Sequence, residues 1–177
     1  CALPIFQHLK EHRLHSNNGR NDRVFYFTTL GWMMWNWLVS ALACQSTLIL
    51  FDGSPFAPRP QFLFDYAEKE RVSFFGTSAK YLDSCRKLDL TPAETHTLSS
   101  LRTVASTGSP LAAETFEWVY RAIKSNIHLA SISGGTDIVS CFVLGDPTSP
   151  VYAGEIQRPG LAMAVDIFDD EGHPLSS

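Results

Sequence analysis

The feature that most constrains the fold is a regular alternation of short apolar segments with longer segments of helical character. Five segments are rich in β-branched and aromatic residues and apolar throughout: 24–30, 47–51, 72–77, 101–106 and 127–133. They recur at intervals of roughly 25 residues, which leaves room for a helix between successive strands. Strands that are apolar on both faces are typical of a parallel sheet covered on both sides. We therefore predict an α/β fold with a mostly parallel sheet and helices on both faces.

The segments between these strands have helical patterns at 34–44, 60–71, 78–88 and 111–124, with Ser78 as a predicted N-cap. After Val139 the chain changes to short apolar segments such as "CFVLGD", "AGEIQ" and "MAVDIF", separated by turns. This change predicts a smaller antiparallel β subdomain, and we place the α/β portion at 6–145 and the β subdomain at 146–177. Residues 1–5, "CALPI", match one reading frame of a common sequencing-library adapter. We interpret them as a cloning or assembly scar and leave them out of the fold prediction.

Composition and charge argue against several classes of function. The chain has a net charge of −4 and no run of Lys or Arg, so nucleic acid is not an expected partner. The longest apolar run, 31–44, is shorter than the ~18 residues of a membrane span and is interrupted by Asn36. The four cysteines have neither CxxC nor ligand-like spacing, which predicts free thiols and a reducing compartment, the cytoplasm.

Small polar residues follow most of the predicted strands. In an open parallel sheet, ligands bind beyond the carboxyl ends of the strands. Those ends carry "TTLGW", "FGTSAK", "STGSPL" and "SGGTD", of which three are rich in Gly, Ser and Thr. Such residues let backbone N–H groups approach a phosphate or a flat ring, and they add hydroxyl donors. The pattern predicts a nucleotide-like ligand, although the same residues also make ordinary βα turns.

Three longer runs carry a family resemblance: "DYAEKERVSFFGTSAKYLDSCRK", "SSLRTVASTGSPL" and "HLASISGGTDIVSCFVLGDPTSPV". With them, the chain from Phe6 onwards resembles the acyl-adenylate-forming superfamily of acyl-CoA synthetases, and most closely the branch that activates acetoacetate. The resemblance implies that the chain is part of the large N-terminal domain of such an enzyme. It also implies acetoacetate, ATP and CoA as small-molecule substrates and Mg²⁺ as the metal. A ligase for another short acid and a nucleotide-binding module without ligase activity remain alternatives.

The resemblance assigns roles to residues around the adenylate. Thr136 is expected to hydrogen-bond the α-phosphate, and Asp137 to take part in Mg²⁺ binding; these two are the predicted catalytic residues. The family usually has Glu at the position of Asp137, so metal contact here is expected through water. The remaining predicted nucleotide-binding residues are Gly108, Ser109, Pro110, Ser133 and Gly135. As an alternative, Thr136 and Asp137 cap the following turn, and Gly108 serves a bend.

The resemblance also implies a pocket for the acid. Relatives that use acetate have a Trp at the position of Gly134, so glycine here is interpreted as leaving room for a longer acid. The other predicted wall residues are Trp32, Met33, Met34 and Thr107, although Met and Trp are also common core residues. The resemblance places the phosphate loop upstream of residue 1, and the ribose-binding Asp and the lysine-bearing domain downstream of Ser177. We therefore expect this piece alone to be inactive.

Overall fold

A computed structural model describes residues 2–175, and its first sheet has five strands. These strands are β1 (Arg23–Tyr26), β2 (Thr47–Ile49), β3 (Phe74–Ser78), β4 (Thr103–Thr107) and β5 (His128–Ser131). Their order across the sheet is β2-β1-β3-β4-β5, and every neighbouring pair is parallel. The order reverses at β1, as in doubly wound folds. The predicted parallel sheet is confirmed, although each strand is shorter than its apolar run.

Within residues 2–175, six helices flank or connect these strands. They are α1 (Ala2–Lys10), α2 (Met33–Ser40), α3 (Phe62–Lys69), α4 (Ala79–Lys87), α5 (Pro92–Thr95) and α6 (Ala113–Trp118). A π-helical turn, Glu11–His15, continues α1; a 3-10 turn, Ala41–Cys44, continues α2; and another π-helical turn, Val119–Ile123, continues α6. The Ser78 side chain caps α4 by accepting a hydrogen bond from the Tyr81 amide at 3.1 Å, as predicted. Helices α1 and α5 were not predicted, and α1 includes part of the segment that the prediction set aside.

Two hydrophobic layers show that helices cover both faces of the sheet. Alternate strand residues point to opposite faces. Phe25 of β1 packs in the layer formed with α3, α4 and α6, whereas Val24 and Tyr26 pack in the layer formed with α2. Both layers are buried at their centres: Val24 is fully buried, and Phe25 is only 1% exposed. The expected helices on both faces are thus confirmed.

A second, antiparallel sheet follows β5 almost immediately. Its strands are β6 (Ser133–Gly135), β7 (Ser140–Leu144) and β8 (Arg158–Pro159), in that order. The predicted antiparallel β sheet is confirmed, and its first strand begins at Ser133; the domain boundary between 145 and 146 stays a prediction. The segments 153–157 and 163–168, which were expected to form strands, do not, apart from one isolated bridge between Phe168 and Pro174. Short apolar segments become strands only where a partner edge is available, and that is decided by distant residues.

No helix in the described part of the chain is long and apolar enough to cross a bilayer. The run 31–44 instead forms α2 and its 3-10 turn, and it buries Trp37 and Leu38 against the sheet. This matches the prediction of a core helix.

Candidate active site

A cavity of about 390 Å³ opens beside the carboxyl ends of β4 and β5. Three segments supply most of its lining: the start of α2, the loop after β4, and the stretch from the end of β5 through β6 to Thr136; Cys141 of β7 and two residues of the β7–β8 loop complete it. The lining includes eleven of the twelve predicted site residues: Trp32, Met33, Met34, Thr107, Gly108, Ser109, Pro110, Ser133, Gly134, Gly135 and Thr136. Asp137 is the predicted site residue that does not line it. The chain thus brings together residues more than one hundred positions apart.

The α2 wall is built from residues that also belong to the core. Met33 and Met34 are 7% and 4% exposed, and both pack in the layer under α2. Trp32 is half-buried, and its ring lies edge-on to Tyr26 with 6.2 Å between centroids. Met33 and Met34 are thus core residues that also line the cavity; their contact with the acid stays a prediction. Trp35 and Trp37 do not line the cavity, as expected for packing residues.

The loop after β4 forms the second wall. Thr107 is buried, and its hydroxyl donates to the Ile132 carbonyl at 3.1 Å, which joins the ends of β4 and β5. Gly108 has φ of +90°, a conformation that L side chains rarely adopt. The bend at Gly108 carries exposed Ser109 and Pro110 along the cavity. Gly108 therefore serves a bend, and that bend shapes the wall.

The backbone of Gly134 in β6 lines the cavity. A side chain at this position would point towards β7. A Cβ at this position would lie 2.3 Å from the Ser140 carbonyl oxygen and 2.8 Å from Cys141 Cα. Both are backbone atoms, so no change of rotamer relieves the overlap. The close approach of two strands at a bulge is thus a structural reason for glycine here. That this glycine leaves room for the acid stays a prediction.

Thr136 and Asp137 lie in the turn that connects β6 to β7. A backbone hydrogen bond from the Val139 amide to the Thr136 carbonyl closes this turn at 3.1 Å. Thr136 lines the cavity, while Asp137 is exposed and does not line it. Within residues 2–175 neither side chain makes a hydrogen bond or an ion pair, so the turn does not use them as caps. A hydroxyl at the cavity and a carboxylate beside it are thus both available to a ligand.

Cys141 lines the cavity, and its surroundings do not activate its thiol. Burial, and secondarily the Glu11 carboxylate, raise the pKa of the Cys141 thiol, which therefore remains protonated near neutral pH. Among the described residues no group of three or more His, Cys, Asp or Glu side chains could hold a metal ion. Magnesium is commonly held by one or two carboxylates together with substrate phosphates, and Asp137 fits that pattern.

A loop between β7 and β8 supplies lining residues that the sequence did not indicate. Gly154 and Ile156 reach the cavity from this loop. Gln157 anchors it: its amide nitrogen donates to the Ser149 carbonyl at 3.0 Å, and its oxygen lies 2.7 Å from His128 Nε2. In contrast, the "FGTSAK" motif does not line the cavity, and Ser78 of this motif caps α4.

Comparison with known proteins gives a consistent result. A family model described as AMP-binding enzyme matches residues 5–177. The chain is 63% identical over 171 residues to an acetoacetyl-coenzyme A synthetase of Rhizobium meliloti (strain 1021), covering 97% of this chain and 26% of that protein. It is 52% identical over 168 residues to an acetoacetyl-CoA synthetase of Mus musculus, covering 95% of this chain and 25% of that protein.

A solved structure agrees with these sequence matches. The acetoacetyl-CoA synthetase from Streptomyces lividans superposes with a TM-score of 0.90 at 43% identity, covering 97% of this chain and 27% of that chain. The chain thus spans about a quarter of the length of the relatives it matches.

Proposed function

Because the chain belongs to the AMP-binding enzyme family, we propose that it forms part of an ATP-dependent acid–thiol ligase that makes acetoacetyl-CoA. The observation that carries the proposal is the convergence of three distant segments on one cavity, with a Thr136 hydroxyl that has no partner among residues 2–175. The similarity to proteins named as acetoacetyl-CoA synthetases, at up to 63% identity, supports the choice of acid.

In the proposed reaction the acid carboxylate attacks the α-phosphate of ATP, which gives acyl-AMP and releases pyrophosphate. The thiol of CoA then attacks the acyl carbon and displaces AMP. In the first step negative charge develops on the phosphate oxygens, and Thr136 would donate a hydrogen bond there. The loop Gly108–Pro110 would lie against the adenine. The carboxylate of Asp137 would hold Mg²⁺, directly or through water, and the metal would neutralise phosphate charge.

The cavity is suited to position the reactants more than to supply covalent chemistry. Its walls combine apolar side chains from α2 with backbone from the glycines of β6, and Cys141 remains a neutral thiol. Holding two reactants in the correct geometry accounts for a large part of the rate of such transfers. We also propose a reducing compartment such as the cytoplasm, since Cys44, Cys85 and Cys141 are free and buried.

The test is acid-dependent ATP–pyrophosphate exchange by the full-length protein that contains this chain, with acetoacetate, acetate and propionate compared at equal concentration. We expect acetoacetate to support exchange with the highest kcat/KM. Preference for acetate or propionate would favour a ligase for another short acid. ATP binding without exchange for any acid would favour a nucleotide-binding module.

A further inference from the structure

A fully buried carboxylate lies behind the cavity and outside its lining. Glu11, on the π-helical turn after α1, is 0% exposed. Its carboxylate accepts hydrogen bonds from the Trp37 indole at 2.9 Å, from the Cys141 amide at 3.0 Å and from the Ser140 hydroxyl. Within residues 2–175 it forms no ion pair. A fourth, longer hydrogen bond comes from Gln7 Nε2 at 3.5 Å. A buried carboxylate is costly unless its oxygens are satisfied, so the bonds from Trp37, Ser140 and Cys141 fix its position relative to α2 and β7.

The two β7 partners of Glu11 lie opposite the glycines of the cavity wall. In the β6–β7 ladder Ser140 pairs with Gly135, and Cys141 pairs with Gly134. Glu11 therefore binds the strand that supports these glycines, at the point where the turn to Thr136 begins. Two hydrogen bonds from β7 to one buried side chain add a restraint on the hairpin beyond its own strand pairing.

A second side chain from the same helical segment holds the other end of the turn. His8 Nε2 donates to the Val139 carbonyl at 2.6 Å, while its Nδ1 lies 3.0 Å from the Ser40 hydroxyl. Val139 has φ of +50°, which is rare and strained for a β-branched residue. Such a conformation persists only where the surrounding structure imposes it. The turn is thus held by its own backbone bond and by contacts from outside the hairpin.

We propose that Glu11 is a positioning residue for Thr136: through Ser140 and Cys141 it fixes the β6–β7 hairpin and so aims the Thr136 hydroxyl into the cavity. The inference rests on the proposed function, in which Thr136 donates to phosphate charge. Such a donor is effective only when it is held in place before the reaction. A displacement of about 1 Å can cost ~10²-fold in rate.

Ser140→Ala tests the proposal, with Ser73→Ala as a matched control. Ser73 is also buried, and its hydroxyl donates to the Asp22 carboxylate at 2.7 Å, but it precedes β3 at the amino-terminal edge of the sheet. In the full-length protein we expect Ser140→Ala to lower kcat of pyrophosphate exchange by about 10- to 100-fold, with KM for ATP changed less than ~3-fold. Ser73→Ala should stay within ~3-fold of the parent. Equal losses of kcat in the two variants would overturn the proposal.

A double-mutant cycle tests whether the effect passes through Thr136. In a Thr136→Ala background, Ser140→Ala should cost less than ~3-fold further, because the hydroxyl that it positions is absent. A loss as large as in the parent would show that Ser140 acts by another route.

Amide hydrogen exchange separates failure of this inference from failure of the proposed function. Glu11→Gln and Ser140→Ala should each lower the protection of amides 134–139 by at least ~10-fold, while Ser73→Ala should not. Glu11→Gln keeps the shape of the side chain and provides a second variant should Ser140→Ala fold poorly. A parent without acid-dependent exchange would refute the proposed function, and the protection of the hairpin would still decide whether Glu11 fixes it. Unchanged protection in both variants would refute the positioning role.

Discussion

Replacing Gly134 by alanine tests how much the close approach of β6 and β7 contributes to the stability of the hairpin. The added Cβ would lie 2.3 Å from the Ser140 carbonyl oxygen, whereas ordinary contacts begin at 3.4 Å, so the strands must separate by about 1 Å. A separation of that size stretches neighbouring ladder hydrogen bonds beyond their useful range. Overpacking costs about 1–3 kcal/mol and each weakened hydrogen bond about 1 kcal/mol. We expect the free energy of opening of the hairpin to fall by about 2–3 kcal/mol.

The neighbouring glycine provides the control. A Cβ on Gly135 would contact Ile138 and Phe142 at 3.8 Å, which is ordinary van der Waals distance. Replacing glycine by alanine at a compatible position stabilises the folded protein by about 0.4–1 kcal/mol, because it lowers the conformational entropy of the unfolded chain. Neither glycine has a positive φ, so the two variants differ in available space and not in backbone strain.

The assay is amide hydrogen exchange on peptides that cover residues 133–144 of the full-length protein. Gly134→Ala should lower protection there by about 30- to 150-fold, and Gly135→Ala should leave it unchanged or slightly higher. Equal protection in the two variants would refute the reasoning. The same geometry implies that Gly134→Trp is a poor probe of acid size, because its Cβ alone would displace β7.

Two further predictions concern the turn residues and acid stability. Thr136→Ala in the full-length protein should lower kcat of pyrophosphate exchange by about 10²- to 10³-fold, because one donor to developing charge is lost, and Asp137→Asn should mainly raise the Mg²⁺ concentration needed. Parent-like rates for both variants across a Mg²⁺ titration would contradict these roles. Burial lowers the pKa of His12 from 6.5 to about 4. Below pH 6.5 the unfolded chain therefore binds a proton at His12 that the folded protein does not, and the free energy of unfolding should fall by about 3 kcal/mol as the pH drops from 6.5 towards 4. Denaturation of His12→Gln should show a shallower loss of stability over this pH range, and an unchanged slope would contradict the assignment.

Much of the α/β framework could be predicted because it is determined by local patterns. Continuous apolar runs mark buried parallel strands, and the spacing between them leaves room for a helix. Ser78 could be identified as a cap because a cap depends on the residues that follow it directly. The edge of the sheet at which the cavity opens could also be predicted, since the carboxyl ends of parallel strands meet on one side of a sheet.

The arrangement of the site was decided by contacts between residues far apart in the sequence. Glu11 bonds Ser140 across 129 positions, and no local pattern indicates that pairing. Gly134 is a second example. From the sequence its lack of a side chain was interpreted as open space, whereas in the structure the β7 backbone occupies the place where a Cβ would lie. Sequence thus determined the five strands of the parallel sheet and the helices between them, because these depend on neighbours along the chain, whereas α1, α5 and the extent of the antiparallel sheet were not determined by it. Tertiary structure alone decided which side of each residue faces the cavity, because that depends on where the partner strand and the buried carboxylate are placed.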